Sequence, residues 1–243
     1  MARAAKSAKK VTKKGRSKGI RPLRWLVKHA WHLVLILLLV FLGAVAVHGV
    51  VRPWTGIYMI TEEQRLGGIE RDWVPMEEIA PVMARSAVAA EDANFCLHWG
   101  VDMSAIRDAI ADGARRGGST ISQQVAKNVY LWHGRSYVRK AFETVLTPLV
   151  ELFWSKRRIL EVYLNVAEFD EGVFGVEAGA RHYFGVSAAD LTPRQAALLA
   201  AILPSPQSRS AAHPGEYTRR RASQIQDGAA TIERDGRAAC FET

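Results

Sequence analysis

The chain has 243 residues, 49% of them apolar, two cysteines and a formal net charge of +9. Two cysteines exclude a disulfide framework or a multi-cysteine zinc site and allow at most one bridge, Cys96 to Cys240. Twelve of the 33 basic residues lie at or before Arg52, leaving 21 against all 24 acidic ones, so the rest of the chain is near −3 and lacks the bulk footprint of a nucleic-acid binder. Only local patches such as Arg219-Arg220-Arg221 remain.

In chain order, eleven cations from Arg3 to Lys28 come first, with no acidic residue before Glu62. The 19 residues Leu33 to Val51 then read LVLILLLVFLGAVAVHGVV, close to the roughly 20 that cross a hydrocarbon core. The positive-inside rule keeps the basic end cytoplasmic and exports the residues beyond Val51, and Trp25 and Trp31 suit an inner-interface anchor. A cleaved signal peptide is the rival reading, since Ala44-Val45-Ala46 resembles a small-residue cleavage site, but the long basic leader and the apolar residues beyond Ala46 favour a retained anchor.

Arg52 to Trp73 is expected to be a linker with at most a short strand. Beyond it the pattern is helical over Pro75 to Asn94, Asp102 to Arg115, Ser119 to Leu131, Ser136 to Trp154, Lys156 to Glu168, Val173 to Tyr183, Pro193 to Leu203 and Pro214 to Glu233. Glycine and proline cluster between these stretches. Alternating strand patterns are scarce, no glycine-rich phosphate loop occurs and no internal repeat is present, so the expectation is one mainly α domain.

Four clusters carry chemistry. Glu91-Asp92, at the end of an Ala-rich run and followed by Phe95, His98 and Trp99, places a carboxylate where burial raises its pKa and suits it to general-base work. A plain helix-end pair with Phe95 in the core reads the same way, and His98 alone lacks the partners of a metal ligand. Next, Gly117-Gly118-Ser119-Thr120 opens a helix on which Gln123 and Lys127 are i, i+4; amide groups at that helix start beside a lysine favour an anion such as phosphate. A capped surface helix would show the same letters.

In the third cluster Arg139 and Lys140 both lie within one helical turn of Glu143, as a surface ion-pair network or as cations packed around a buried glutamate. In the fourth, Ile159, Val162 and Tyr163 share one stripe and Glu161 and Asn165 another, a bracing pattern. The apolar run Val145, Leu146, Leu149, Leu152, Phe153 and Trp154 between them reads first as core and second as a lipid-facing surface.

In this order the clusters resemble the peptidoglycan glycosyltransferase (transglycosylase) family, and in particular its monofunctional biosynthetic members. The residues that carry the likeness are Glu91-Asp-x-x-Phe95-x-x-His98-x-Gly100, Gly117-Gly118-Ser119-Thr120-Ile121-x-Gln123-Gln124-x-x-Lys127-Asn128, Arg139-Lys140-x-x-Glu143 and Lys156-x-x-Ile159-Leu160-Glu161-x-Tyr163-Leu164-Asn165, with Tyr183-Phe184-Gly185 and Leu203-Pro204-x-Pro206 beyond. Ser122 stands where the family usually has threonine.

The resemblance implies a mainly α, lysozyme-like glycosyltransferase domain over residues 73–243, behind a basic cytoplasmic tail (1–28), a single transmembrane anchor (29–51) and an approach segment (52–72). It implies polymerisation of a lipid-linked disaccharide precursor onto a growing glycan strand in cell-wall synthesis, with undecaprenyl pyrophosphate leaving. Glu91 and Glu143 would be the catalytic carboxylates. Ser119, Thr120, Gln123, Gln124, Lys127, Asn128, Arg135, Arg139 and Lys140 would hold substrate and pyrophosphate. The implied setting is the inner membrane, with the domain periplasmic. No cofactor and no resident metal are expected, with room for a divalent cation, Mg or Mn, at Glu143. Besides substrate and membrane, other cell-wall synthesis and division proteins are candidate partners.

Overall fold

The computed structural model describes residues 22–111, 118–134 and 136–242, so Arg135, Gly117 and the cations up to Arg21 lie outside the described residues. It falls into two compact units, Met1–Phe41 and Leu42–Thr243. Helix α1 (Pro22–His48) runs through the first and ends in the second. Arg24 to His48 is long and apolar enough to cross a membrane, with mean hydropathy 2.7. Leu33 to Val40 are exposed throughout, the surface a lipid-spanning helix presents.

The second unit is a mainly α domain, as expected. Its first residues are tied down: the Trp154 indole Nε1–H donates to Val45 O at 2.7 Å, and Arg158 donates to His48 O and Val51 O at 3.1 and 2.7 Å. The segment read as a linker has the short strand allowed for it, β1 (Glu70–Arg71), but also contains α2 (Ile57–Leu66), and Met59 enters the core. Gly56 offers no capping side chain and the polar run Glu62 to Arg65 hides the apolar stripe, so the helix leaves little trace in the letters.

The stretch expected as one helix from Pro75 to Asn94 is a 3₁₀ turn (Met76–Glu78) followed by α3 (Pro81–Glu91). Pro81 has no amide to continue a helix and is well placed to start one. Helix α4 (Met103–Ala111), α5 (Ile121–Tyr130), α6 (Tyr137–Phe153) and α7 (Lys156–Val166) follow. A small sheet then forms from β1, β2 (Glu168–Asp170) and β3 (Val173–Phe174) in the order β1-β3-β2, β1 parallel and β2 antiparallel to β3. The helices expected to reach Glu168 and to begin at Val173 are thus shorter, because two β-forming ends pair across the turn Glu171-Gly172. Helix α8 (Val176–Phe184), α9 (Pro193–Ile202), α10 (Glu216–Arg234) and the short α11 (Ala239–Glu242) complete the domain.

Helix α7 is the central post, packed against α3, α5, α6, α8 and α11, with Ile159, Leu160, Val162, Tyr163, Leu164 and Val166 all buried. Around it the alanines of α9 let α3 and α10 approach closely. Asn165 is the polar exception. Its Oδ1 accepts from Val74 N at 2.9 Å while its Nδ2 donates to Val74 O and Glu161 O, both at 2.8 Å, binding the approach to α3 onto the post. Cys96 and Cys240 form a disulfide, and Phe241 packs against Phe95 beside it.

The apolar run on α6 divides. Leu146, Val150 and Trp154 enter the core, but Val145, Leu152 and Phe153 are exposed together with Tyr137, Val138 and Phe142, so the core reading fails for that half.

Asn165→Ala strands the Val74 amide and carbonyl in a partly buried setting, a loss of roughly 1–3 kcal/mol. A clear fall in the thermal midpoint of the full chain is expected, and an unchanged midpoint would show that the brace carries no weight.

Candidate active site

The site is assembled where α3 ends and α5 begins. Asp92, just beyond α3, accepts from the backbone amide of Ile121 at 3.1 Å through one oxygen and bonds the His98 Nε2 at 2.7 Å through the other. Thr120 and Gln123 complete a capping box, in which Gln123 N donates to Thr120 Oγ1 and Thr120 N donates to Gln123 Oε1 at 3.1 Å. The Thr120 hydroxyl donates in turn to Gly100 O at 2.6 Å. Gly100 has φ of +84°, and a Cβ there would stand 2.6 Å from Thr147, so this crossing requires glycine.

These contacts correct two expectations. The start of α5 is not an open anion site, because Asp92 already occupies it as the helix's own anion. Gln123 does not share a working face with Lys127 either; it is buried in the cap, and Gln124 is the amide that faces outward to the carboxylate. Its Nε2 donates to Glu91 Oε2 at 2.7 Å.

Glu91 lines one recess and Gln124, bonded to it, lines another, each about 190 Å³. One is lined by Glu91, Asp92, Asn94, Ser119 and Thr120. The other is lined by Gln124, Lys127, Asn128, Tyr163, His133 and Glu168, among others. Burial raises the Glu91 pKa; the Gln124 bond and the charges of Arg221 and Lys127 pull it back, while Asp92 adds to the rise.

Lys127 lies between two carboxylates. Burial lowers its pKa first, Glu143 and Glu91 oppose that, and Arg139 and Lys140 reinforce it. Glu143 is 3% exposed, and its oxygens are taken by the Arg139 guanidinium at 2.7 Å and the Lys140 ammonium at 2.5 Å. Of the two sequence readings, the buried glutamate with cations packed on it is the one realised. Both oxygens are already engaged, so a divalent ion there would have to displace a cation.

Among the described residues a second group of potential ligands is Asp92, His98 and Asp102, within 4.8 Å of one another. Its capacity is spent elsewhere. Asp102 is buried, yet bonds from Ser104, Ala105 and Asn94 hold its pKa down to about 2, and Asp92 serves α5 and His98. Beneath, Lys156 binds Glu151 and His98 O, both at 2.8 Å, and lies over the Phe95 ring, while Ser122 donates to Glu151 at 2.5 Å.

Tyr58, His133, Glu168 and Arg221 escaped the sequence reading. Tyr58 stacks on His133 with centroids 3.5 Å apart and donates to Glu168 at 2.8 Å. Burial, then Lys127 and Arg139, push the His133 imidazole down to about 4. They come singly from four distant segments with no shared spacing; only Arg221 sat in a visible patch, the triple arginine.

The chain resembles proteins of one family over most of its length. Residues 59–229 match the family model described as Transglycosylase. A biosynthetic peptidoglycan transglycosylase of Jannaschia sp. is 63% identical over 241 residues, covering 99% of each chain. Its counterpart in Caulobacter vibrioides is 45% identical over 86% of this chain and 95% of its own, and that of Rhodospirillum centenum 47% over 85% and 91%.

A raised native pKa at Glu91 means that the folded state holds the proton more tightly than the unfolded chain. The associated stability is present below the ordinary glutamate pKa and lost as pH rises through the folded value. Glu91→Gln should therefore melt higher than wild type at pH 8, with the gap closing by pH 3. A variant that melts lower at pH 8 would contradict this.

Proposed function

Since the chain belongs to the transglycosylase family and is a peptidoglycan glycosyltransferase of cell-wall biosynthesis, we propose that Glu91 is the general base that joins a lipid-linked disaccharide-pentapeptide donor to the growing glycan strand. The observation that supports this most directly is a half-buried carboxylate with a raised pKa that lines one recess and is hydrogen-bonded to Gln124, which lines a second recess together with Lys127.

In this reading the acceptor's 4-hydroxyl gives its proton to Glu91 as its oxygen attacks the donor's anomeric carbon. The bond to pyrophosphate breaks, the anomeric centre inverts to a β-1,4 linkage, and undecaprenyl pyrophosphate departs with the electron pair. Lys127 and Lys140, with Arg139 and Arg135, meet the charge developing on that leaving group. Glu143 keeps Arg139 and Lys140 in place. Gln124 aims the base, and Ser119, Thr120 and Asn128 border the sugar and phosphate positions. The donor arrives activated, so no nucleotide is needed. A divalent ion, if used, would travel with the pyrophosphate.

Both substrates carry polyprenyl tails, which suits a single-pass anchor. The exposed side chains of Phe142, Val145, Leu152 and Phe153 would lie against the outer surface of the inner membrane, with the N-terminus cytoplasmic. The Cys96–Cys240 bridge fits an oxidising periplasm.

Purified protein incubated with the lipid-linked precursor should yield polymer on a gel. Glu91→Gln should slow polymerisation by about 100- to 10,000-fold with its fold intact, and near-normal turnover would remove Glu91 from this role. Lys127→Met and Lys140→Gln should each slow transfer, and Arg135→Lys should restore only part of what Arg135→Gln loses, since the planar fork is missing. Full turnover in all of the folded cation variants would place the pyrophosphate site elsewhere.

A further inference from the structure

Helix α10 lies so near α3 that a Cβ added at Gly228 would stand 3.2 Å from the Cβ of Ala89. Two turns earlier on α10, Arg221 donates from Nη2 to Ala90 O at 2.8 Å, the carbonyl of the peptide that leads into Glu91. Its neighbours are occupied otherwise: Arg220 pairs with Glu216, and Arg219 donates to Pro214 O. Among the described residues Arg221 has no carboxylate within ion-pair distance, so its charge is not neutralised by a partner of its own.

Among the described residues, the charged and titratable groups facing Glu91 are Arg221 from α10, Lys127 from α5, Tyr163 from α7 and Asp92 on the following loop. Only the first two favour an ionised carboxylate. They are not equivalent, because Lys127 is shared with Glu143 and, in the mechanism above, with the donor's pyrophosphate. Once that anion is bound, its negative charge offsets the lysine's field at Glu91. Arg221 acts from a different element, α10, and keeps its charge.

We propose that Arg221 is a positioning residue for glycosyl transfer, holding the last turn of α3 and supplying the positive charge that keeps Glu91 ionised while donor occupies Lys127. The inference rests on Glu91 being the general base.

The test is the pH dependence of kcat and KM from pH 5 to 9 for the full chain with lipid-linked precursor, in wild type, Arg221→Lys and Arg221→Gln. Glutamine keeps an N–H donor on a shorter side chain but has no charge. Its acid limb in kcat should move up by about half a pH unit or more, with the rate recovering at alkaline pH and KM little changed, while the lysine variant follows wild type. Should the glutamine variant not fold, Arg221→Met takes its place as the neutral residue. An acid limb that stays put while the rate falls equally at every pH, or a lysine variant as impaired as the glutamine one, would reduce Arg221 to a packing role and overturn the proposal. Glu91→Gln in the same assay separates the two ideas. Activity retained there removes the base itself, whereas an inactive Glu91→Gln beside an unshifted Arg221→Gln removes only the role given to Arg221.

Discussion

Asp92 ties the end of one helix to the start of another, and the site's geometry follows from that. Its carboxylate accepts the first helical amide of α5, where the helix's partial positive charge is concentrated, and its second oxygen holds His98. The chain between Glu91 and Gly100 is thereby folded against the α5 start, and the Thr120 bond to Gly100 closes the same loop from the other side. With α3 and α5 fixed in this way, Gln124 falls one turn beyond the cap and reaches Glu91. Lys127 then comes one turn further along the same helix.

The charges beyond Asp92 form an alternating row: Glu91, Lys127, Glu143, and then Arg139 with Lys140. Buried ion pairs contribute little net stability, since desolvation offsets most of the attraction. Their value here is geometric. A glutamate held at 3% exposure by two cations sets those cations at one height on α6 and leaves Lys127 with no ion pair of its own among the described residues. The row's opposite shifts, up for Glu91 and down for Lys127, both arise from burial and bring a base and a cation closer to neutral pH than free side chains would be.

Much of this was legible in the letters. The four ordered clusters and the helical periodicity of α5, α6 and α7 pointed to the fold class and to the region of the site, since polar spacing on a helix fixes which side chains are neighbours. What the spacing could not decide was rotation and reach. Gln123 and Gln124 are adjacent, and only the capping box shows that the first turns inward and the second outward. The α6 apolar run has Leu146 and Val145 side by side, one buried and one exposed, because the helix lies on the surface of the core. Tyr58, His133, Glu168 and Arg221 depend on tertiary packing of segments far apart in sequence, as does the pairing of Cys96 with Cys240.

That pairing bears on when the loop beside Glu91 is tied down. Cys96 belongs to the loop that follows Glu91, and its partner is 144 residues further along the chain. Synthesis runs from N- to C-terminus, so Cys240 leaves the ribosome only after every element from α1 to α10, and the loop beside Glu91 cannot be locked before then. Cross-linking two points so distant removes about 5 kcal/mol of loop freedom from the unfolded chain in the polymer model. A nascent chain made only as far as α10 therefore carries all four clusters but not the covalent tie between them and α11.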